Sequence, residues 1–350
     1  MNLQKIKSKF TLLVLFLTTS VVFSQETTQY KIACIGFYNL ENLFDTVDDP
    51  KTNDADFLPD GSYVWDSTKY ANKLLNMSTV IADLGTDITP DGVAVLGVAE
   101  IENRKVLEDL VAMPLLKDRK YQIVHYNSPD KRGIDVGLLY QEKYFKLQNS
   151  ASYKLTFPWD TSYYTRDQLV VTGNMDGEDV SIIVGHWPSR RGGQQASEQN
   201  RIEAAKLGRR IIDSLLAVNP FAKIILMGDL NDDPVNVSVT EYIRAKGKIN
   251  KMETGDMFNV MYAHYKSGNG TLAWNDAWNL FDQMIISEGL LEKNTTTYSF
   301  YKSYVYNKEY IKQQDGNYAG YPKRTHAGGV YLNGYSDHFP VYMILKKPVQ

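Results

Sequence analysis

Apolar residues recur along the chain in short runs that end abruptly in polar clusters. Nine runs have the length and content of strands: Ile32–Leu40, Val93–Ala99, Tyr121–His125, Ile134–Tyr140, Leu169–Asn174, Val180–Trp187, Lys223–Met227, Gln283–Ser287 and Pro340–Leu345. Two longer stretches carry apolar residues at helical spacing. In Lys69–Leu84 these are Leu74, Leu75, Met77, Val80, Ile81 and Leu84; in Gln195–Leu216 they are Ile202, Ala205, Leu207, Ile211, Ile212 and Leu215. Many strands with interspersed helices predict two packed sheets flanked by helices. No internal repeat, low-complexity tract or Pro/Ser-rich linker interrupts the pattern, so a single domain is expected over residues 25–350.

The N-terminus departs from this pattern. Lys5, Lys7 and Lys9 precede an uncharged, almost wholly apolar run from Thr11 to Phe23, and Ser24 and Gln25 turn polar. That is the form of a secretory signal peptide spanning residues 1–24, which predicts a secreted or periplasmic protein. The alternative is an uncleaved anchor, but the run falls well short of the roughly 20 residues that cross a bilayer. Cys34 is the only cysteine, so no internal disulfide can form. It lies in an apolar run about ten residues past the expected cleavage point, too late for a lipid anchor, and reads as core packing.

Charge narrows the choice of substrate. The chain has 38 Lys and Arg against 41 Asp and Glu. Loss of residues 1–24 removes three lysines and no acid, leaving a formal charge of −6. A broad basic footprint for nucleic acid is excluded. An anionic substrate must be held by a local cluster or a metal ion.

Four strand-like runs end in clusters able to do this: Asn39-Leu40-Glu41-Asn42, Glu100-Ile101-Glu102-Asn103, His186-Trp187-Pro188-Ser189-Arg190-Arg191 and Gly228-Asp229-Leu230-Asn231-Asp232-Asp233. Neighbouring strands would bring these ends to one rim, where sheet proteins build sites. A carboxylate such as Glu100 at the end of a buried strand is costly unless paired or bound to a hard cation. Taken alone it is equally a solvated strand-end residue, and Glu102 reads better as a first-turn residue of a following helix. Asp229 and Asn231 are two apart and share a side of an extended segment. Asp232 and Asp233, before Pro234, read as helix caps. His186 with Arg190, Arg191, Gly192 and Gly193 can surround an oxyanion, although paired arginines are also common on exposed loops. Arg132 offers a weaker version of the same feature. His338, in Ser336-Asp337-His338-Phe339-Pro340-Val341, suits a general base if a carboxylate orients it. Asp337 is adjacent and would point away. Asp282, at the start of an apolar strand, is the better partner. A capped core histidine is the competing reading of His338.

Six segments in this order resemble the endonuclease/exonuclease/phosphatase superfamily, which includes deoxyribonuclease and the AP endonucleases. They are Phe37–Asn42, Val98–Asn103, Gly185–Arg190, Gly228–Asn231, Phe281–Ile285 and Ser336–His338. The resemblance implies an α+β fold, a four-layered α/β/β/α sandwich of two mostly antiparallel sheets. It implies Glu100 as principal metal ligand with Asn39 and Glu41 beside it, and Asp229 and Asn231 as the pair that orients water and contacts phosphate. It makes His186 a phosphate-binding histidine, Asp282 and His338 an acid–histidine pair, and Asp337 a second metal- or water-orienting acid. Glu41 stands where many nucleases have Asp, which changes its reach; Gln283 follows Asp282 where an aromatic is common, which bears on packing. The implied cofactor is Mg²⁺ or Mn²⁺, or Ca²⁺. The expected activity is that of a secreted nuclease acting on DNA or RNA, with Arg132, Arg190 and Arg191 on the substrate. The first alternative is a hydrolase of lipid headgroups or small phosphoesters; a non-catalytic binding protein is the remote one. No segment marks an obligate protein partner.

Overall fold

The computed structural model describes residues 29–274, 276–292 and 296–349. The expected signal segment, residues 1–24, lies outside the described residues. In chain order the strands are β1 (Tyr30–Leu43), β2 (Val95–Ile101), β3 (Tyr121–His125), β4 (Asp135–Gln141), β5 (Lys146–Tyr153), β6 (Gln168–Met175), β7 (Glu178–His186) and β8 (Lys223–Asp229). There follow β9 (Ala245–Lys246), β10 (Met257–Asn259), β11 (Leu272–Trp274), β12 (Ala277–Asn279), β13 (Asp282–Ile286), β14 (Ser299–Val305), β15 (His326–Ala327), β16 (Val330–Tyr331) and β17 (Val341–Pro348). The helices are α1 (Ser67–Asp83), α2 (Arg104–Val111), α3 (Gln194–Val218) and the short α4 (Tyr262–Lys266).

Two large sheets carry the fold. One runs β14-β17-β1-β2-β4-β3 and the other β5-β6-β7-β8-β13-β10-β9, with two small ribbons, β11-β12 and β15-β16, outside them. Strand parity builds the layers. Ala33, Ile35 and Phe37 of β1 pack with Ile182 and Val184 of β7 and Ile225 and Met227 of β8 between the sheets. The alternate residues Cys34, Leu96 and Val98 pack against Leu74, Met77, Val80 and Ile81 of α1. On the far side Ile183, Ile224 and Leu226 meet Ala204, Ala205, Ile211 and Ile212 of α3. Both faces of each sheet are therefore buried, which is why its central strands read as near-continuous apolar runs. The pattern predicted two packed sheets flanked by helices, and the result is the α/β/β/α sandwich that the resemblance implied. Helix starts follow local chemistry: Asp66 caps α1 by accepting from the Lys69 N–H, and Asn103 caps α2 by accepting from that of Val106.

Some expectations change. β5 and β14 were not among the predicted strands, whereas α2 is the helix expected to follow Glu102. β5 is largely exposed along KLQNSASY and has no apolar alternation to reveal it. Glu102 stands outside the first turn of α2 and accepts instead from the Asp45 N–H at 2.7 Å. Pro234 starts no regular helix; a turn leads to a short π-helical segment, Ser238–Tyr242. Asp232 and Asp233 are consequently not helix caps. Asp232 is paired with buried Arg201 at 2.8 Å and accepts from Ser238 Oγ, and Asp233 accepts from the Leu280 N–H. Among the described residues no helix is long and apolar enough to cross a membrane.

The parallel contact of β7 with β8 is unusually close beside Asp229. Gly185 and Gly228 are register partners, and a Cβ on Gly228 would lie 2.0 Å from the Gly185 carbonyl oxygen. Gly228→Ala is expected to destabilise the protein by about 1–3 kcal/mol, the usual range for overpacking. Urea unfolding checks this, and an unchanged midpoint would show that the two strands can part.

Candidate active site

Register brings the predicted residues of one sheet into a row. His186 pairs with Asp229 across β7 and β8, and Asp229 with Asp282 across β8 and β13. Asp229 continues the inward parity of Ile225 and Met227, so its carboxylate enters the gap between the sheets at their rim. The other sheet supplies Asn39 from β1, Glu100 from β2, and the Ser336–His338 segment just before β17.

Backbone irregularities aim several of these side chains. The register of β1 with β2 shifts after Asn39, and that of β2 with β4 shifts between Ala99 and Ile101. Glu100 sits in that bulge at φ 58°; Glu41, Asn42 and Asn231 also have φ near 50°. Such conformations cost about 1–3 kcal/mol each for residues with a Cβ and collect at functional sites. Here the bulge turns Glu100 from the helix-facing side towards His186, whose Nε2 lies 3.7 Å from Glu100 Oε1. The Asn42 N–H donates to Glu100 Oε2 at 3.0 Å and holds the carboxylate there.

Asp229 is the centre of the cluster. Its Oδ2 accepts from Asn39 Nδ2 at 3.1 Å and lies 3.6 Å from His186 Nε2 and 3.8 Å from His338 Nε2. Its Oδ1 accepts from the Asn231 N–H at 3.0 Å, and Asn231 Nδ2 donates to the Trp187 carbonyl. Burial, with the charges of Asp282 and Glu100, pushes the Asp229 carboxyl up to about 7 against the pull of His338. His338 Nδ1 donates to Asp282 Oδ2 at 2.6 Å, so Asp282 rather than Asp337 orients the ring. Burial alone would lower His338, but Asp282 and Asp229 hold it well above its ordinary value. His186 behaves oppositely: burial, reinforced by Arg166 and Arg132, holds it well below its ordinary value, and its Nδ1 is buried without a partner. The site thus sets one charged imidazole opposite one neutral one.

The carboxylates also suit a hard divalent cation. Ligand atoms of Glu100, His186 and Asp229 lie within 4.8 Å of one another. Neither Glu100 nor Asp229 is ion-paired with a lysine or arginine among the described residues. Glu41 is buried nearby, its Oε2 accepting from the Thr325 N–H at 2.7 Å; burial and the charge of Asp337 push it up to about 7. Asp337 lies 4.0 Å from His338 Nε2 and accepts from Arg324.

The arginines are placed differently. Arg190 reaches the site's edge, but its guanidinium donates to the Asn231 carbonyl, Asp232, Asp233 and Asn236 and lies over Phe281. Arg191 and Arg132 are exposed, Arg132 lying 3.9 Å from Asp130. Sequence reasoning missed buried Arg166, which bonds Asp130 and the same Trp187 carbonyl that receives Asn231. It also missed Ser336, whose Oγ donates to the Asn39 carbonyl and accepts from the His338 N–H. Arg166 stands in no cluster that would single it out in one sequence; Ser336 begins the Ser336–His338 segment, but nothing there marks its hydroxyl for a role.

Comparison with known proteins bears on the family and the fold. The sequence profile of the Endonuclease/Exonuclease/phosphatase family matches residues 34–347. No curated protein sequence matches. Among solved structures, a humanized zebrafish (D. rerio) TDP2 carrying 14 mutations superposes with a TM-score of 0.53 at 15% identity, covering 90% of this chain and 98% of that one. An endonuclease/exonuclease/phosphatase family protein from Bacteroides thetaiotaomicron gives 0.53 at 16% identity, over 92% and 98% of the two chains. A mannosyl-6-phosphatase from the same organism gives 0.53 at 15%, over 89% and 99%. At these identities the likeness speaks for the fold.

Proposed function

As the chain belongs to the endonuclease/exonuclease/phosphatase family, we propose that it is a divalent-metal-dependent phosphoester hydrolase, with a phosphodiester of DNA or RNA as its first substrate class. The observation that carries the reading is the facing pair of Asp229 Oδ2 and His338 Nε2, 3.8 Å apart, with Asp282 locked behind the imidazole. That gap lets one water hydrogen-bond to both atoms.

The two groups act as a unit on that water: Asp229 accepts its proton, and His338, expected from the sequence to be the base, is instead held in its charged form by Asp282 and Asp229 and directs the phosphate towards it. Asn231, Asn39 and His186 offer N–H groups to the charge that grows on the phosphate. Glu100, with Asn39 beside it, would hold the ion; Glu41 and Asp337, the other acids expected there, already face the protein cations Lys73 and Arg324. When bound, the ion supplies charge neutralisation at a phosphate oxygen and at the leaving group. The expected export of the protein stands as part of the same proposal.

A second reading has its own support. Arg190 is committed to acids, so the cationic wall expected for a long nucleic acid is thinner than the sequence suggested. A small phosphomonoester or lipid headgroup needs no such wall, and one structural neighbour is a mannosyl-6-phosphatase. A panel of plasmid DNA, RNA, sphingomyelin and sugar phosphates, assayed with Mg²⁺ or Mn²⁺, separates the readings. Cleavage of sugar phosphates alone would remove the nuclease.

Protons and the ion compete for the same carboxylates. Asp229 is pushed up to about 7, so its proton must leave before the site offers a cation beside it the full negative charge. Mn²⁺ affinity is expected to rise between about pH 6 and 8 and to level off above that. Calorimetry at three pH values checks this, and a flat profile would contradict it.

A further inference from the structure

Lys73 on α1 takes no part in the attack, yet its amine is sealed at the metal side of the site. The side chain is out of contact with solvent. Its Nζ donates to Thr325 Oγ1 and to the Tyr335 carbonyl, both at 2.7 Å, and lies 3.6 Å from Glu41 Oε2. The carbonyl and the carboxylate can only accept, and the three directions suit the three donors of an ammonium. A charge so deeply buried persists only with a partner, and Glu41 is that partner. Asp337 has its own cation as well, Arg324 at 3.3 Å. Glu100 and Asp229 have neither lysine nor arginine among the described residues. Apart from Asp282, which is bound to His338, the acids of the site thus divide into two already matched by protein cations and two that are not.

We propose that Lys73 is a resident cation, its ammonium holding at Glu41 the position that a second divalent ion would need, so that the site binds a single ion at Glu100. Two-ion hydrolase sites place their ions about 3.5–4 Å apart between shared carboxylates. An ammonium 3.6 Å from Glu41 repels a dication there and leaves no free carboxylate to attract one. The work of a second ion then falls to protein donors, Asn231 and His338 foremost. Lys73 also ties Glu41 to the segment bearing Asp337 and His338; next to it on α1, Asn76 Nδ2 donates to the Gly334 carbonyl at 2.8 Å. Lys73 is therefore a positioning residue, and this inference rests on the metal-dependent reading of the site.

The test is Mn²⁺ binding to the whole protein, read as stoichiometry and affinity by calorimetry and by electron paramagnetic resonance, independently of turnover. The wild type is expected to bind one ion per chain. Lys73→Met, which keeps the length and removes the charge, is expected to bind two, the second more weakly. Two ions in the wild type, or a folded Lys73→Met protein that still binds one, would overturn the proposal. Should Lys73→Met not fold, Glu41→Gln decides: an affinity within about threefold of wild type is expected because Glu41 serves Lys73, and a loss of thirtyfold or more contradicts it. Absence of any binding by the wild type removes the metal-dependent reading itself, a result distinct from a count of two.

Discussion

Replacing His338 by alanine is expected to lower kcat by at least about 100-fold, the scale on which positioned acid–base groups act. Among the described residues His338 is the only group that faces Asp229 while anchored on a second acid, so its loss leaves the attacking water with one partner instead of two. The substitution also strands Asp282, which is fully buried and already has one oxygen without a partner. An unpaired buried carboxylate costs about 3–5 kcal/mol, so a fall in stability accompanies the fall in rate and must be separated from it. The double variant His338→Ala with Asp282→Asn does so. It removes the stranded charge and is expected to recover stability while remaining as slow as the single variant, since members of one catalytic unit are not additive. The stability term has a sign in pH. The acids hold folded His338 above its unfolded value of 6.5. The pair's contribution is therefore fully present below about pH 6.5 and fades as pH rises through the elevated folded value. The destabilisation should be larger at pH 6 than in alkaline buffer. A His338→Ala protein with near wild-type turnover would remove this residue from the mechanism.

The layers and the converging strand ends were legible because strands buried on both faces announce themselves as apolar runs and because polar clusters follow several of them at once. Asn39, Glu100, His186 and Asp229 could be placed at one rim from that alone; the row of His186, Asp229 and Asp282 needed the strand order. Other features were invisible in principle. The bulge that turns Glu100 into the gap depends on register with β1 and β4, and a glutamate at positive φ has no sequence mark. Asp232 and Asp233 preceded a proline and so looked like caps. Only the fold shows Arg201, from α3, buried against Asp232 and consuming that charge. Arg190 misled for a related reason: a guanidinium beside two glycines suits an oxyanion equally well until five neighbouring acceptors are seen to occupy it. Lys73 is the sharpest case. It lies within a predicted helix, at a position where lysine would ordinarily be solvated, and its partners come from residues 41, 325 and 335.

Chelation should have the largest effect. Turnover is expected to stop in EDTA and to return with Mg²⁺ or Mn²⁺, and Glu100→Gln is expected to lose on the order of 1,000-fold even with the ion in excess, because several kcal/mol of charge stabilisation at the phosphate go with it. Glutamine is the informative replacement. It matches glutamate in size and can keep the hydrogen bond from the Asn42 N–H, so the bulge survives and only the charge is removed. Stability is expected to move the other way. Without an ion, Glu100 adds to the charges that crowd Asp229, and that repulsion is relieved when Glu100 becomes neutral. A metal-free Glu100→Gln protein should therefore melt slightly above metal-free wild type, whereas added Mn²⁺ should raise the melting temperature of the wild type alone. Rate and stability changing in opposite directions is the signature of a residue kept for its charge at a cost to the fold. Full activity in rigorously metal-free buffer would end the metal's role, and a Glu100→Gln protein that is merely less stable and equally active would reduce Glu100 to a structural part of the bulge.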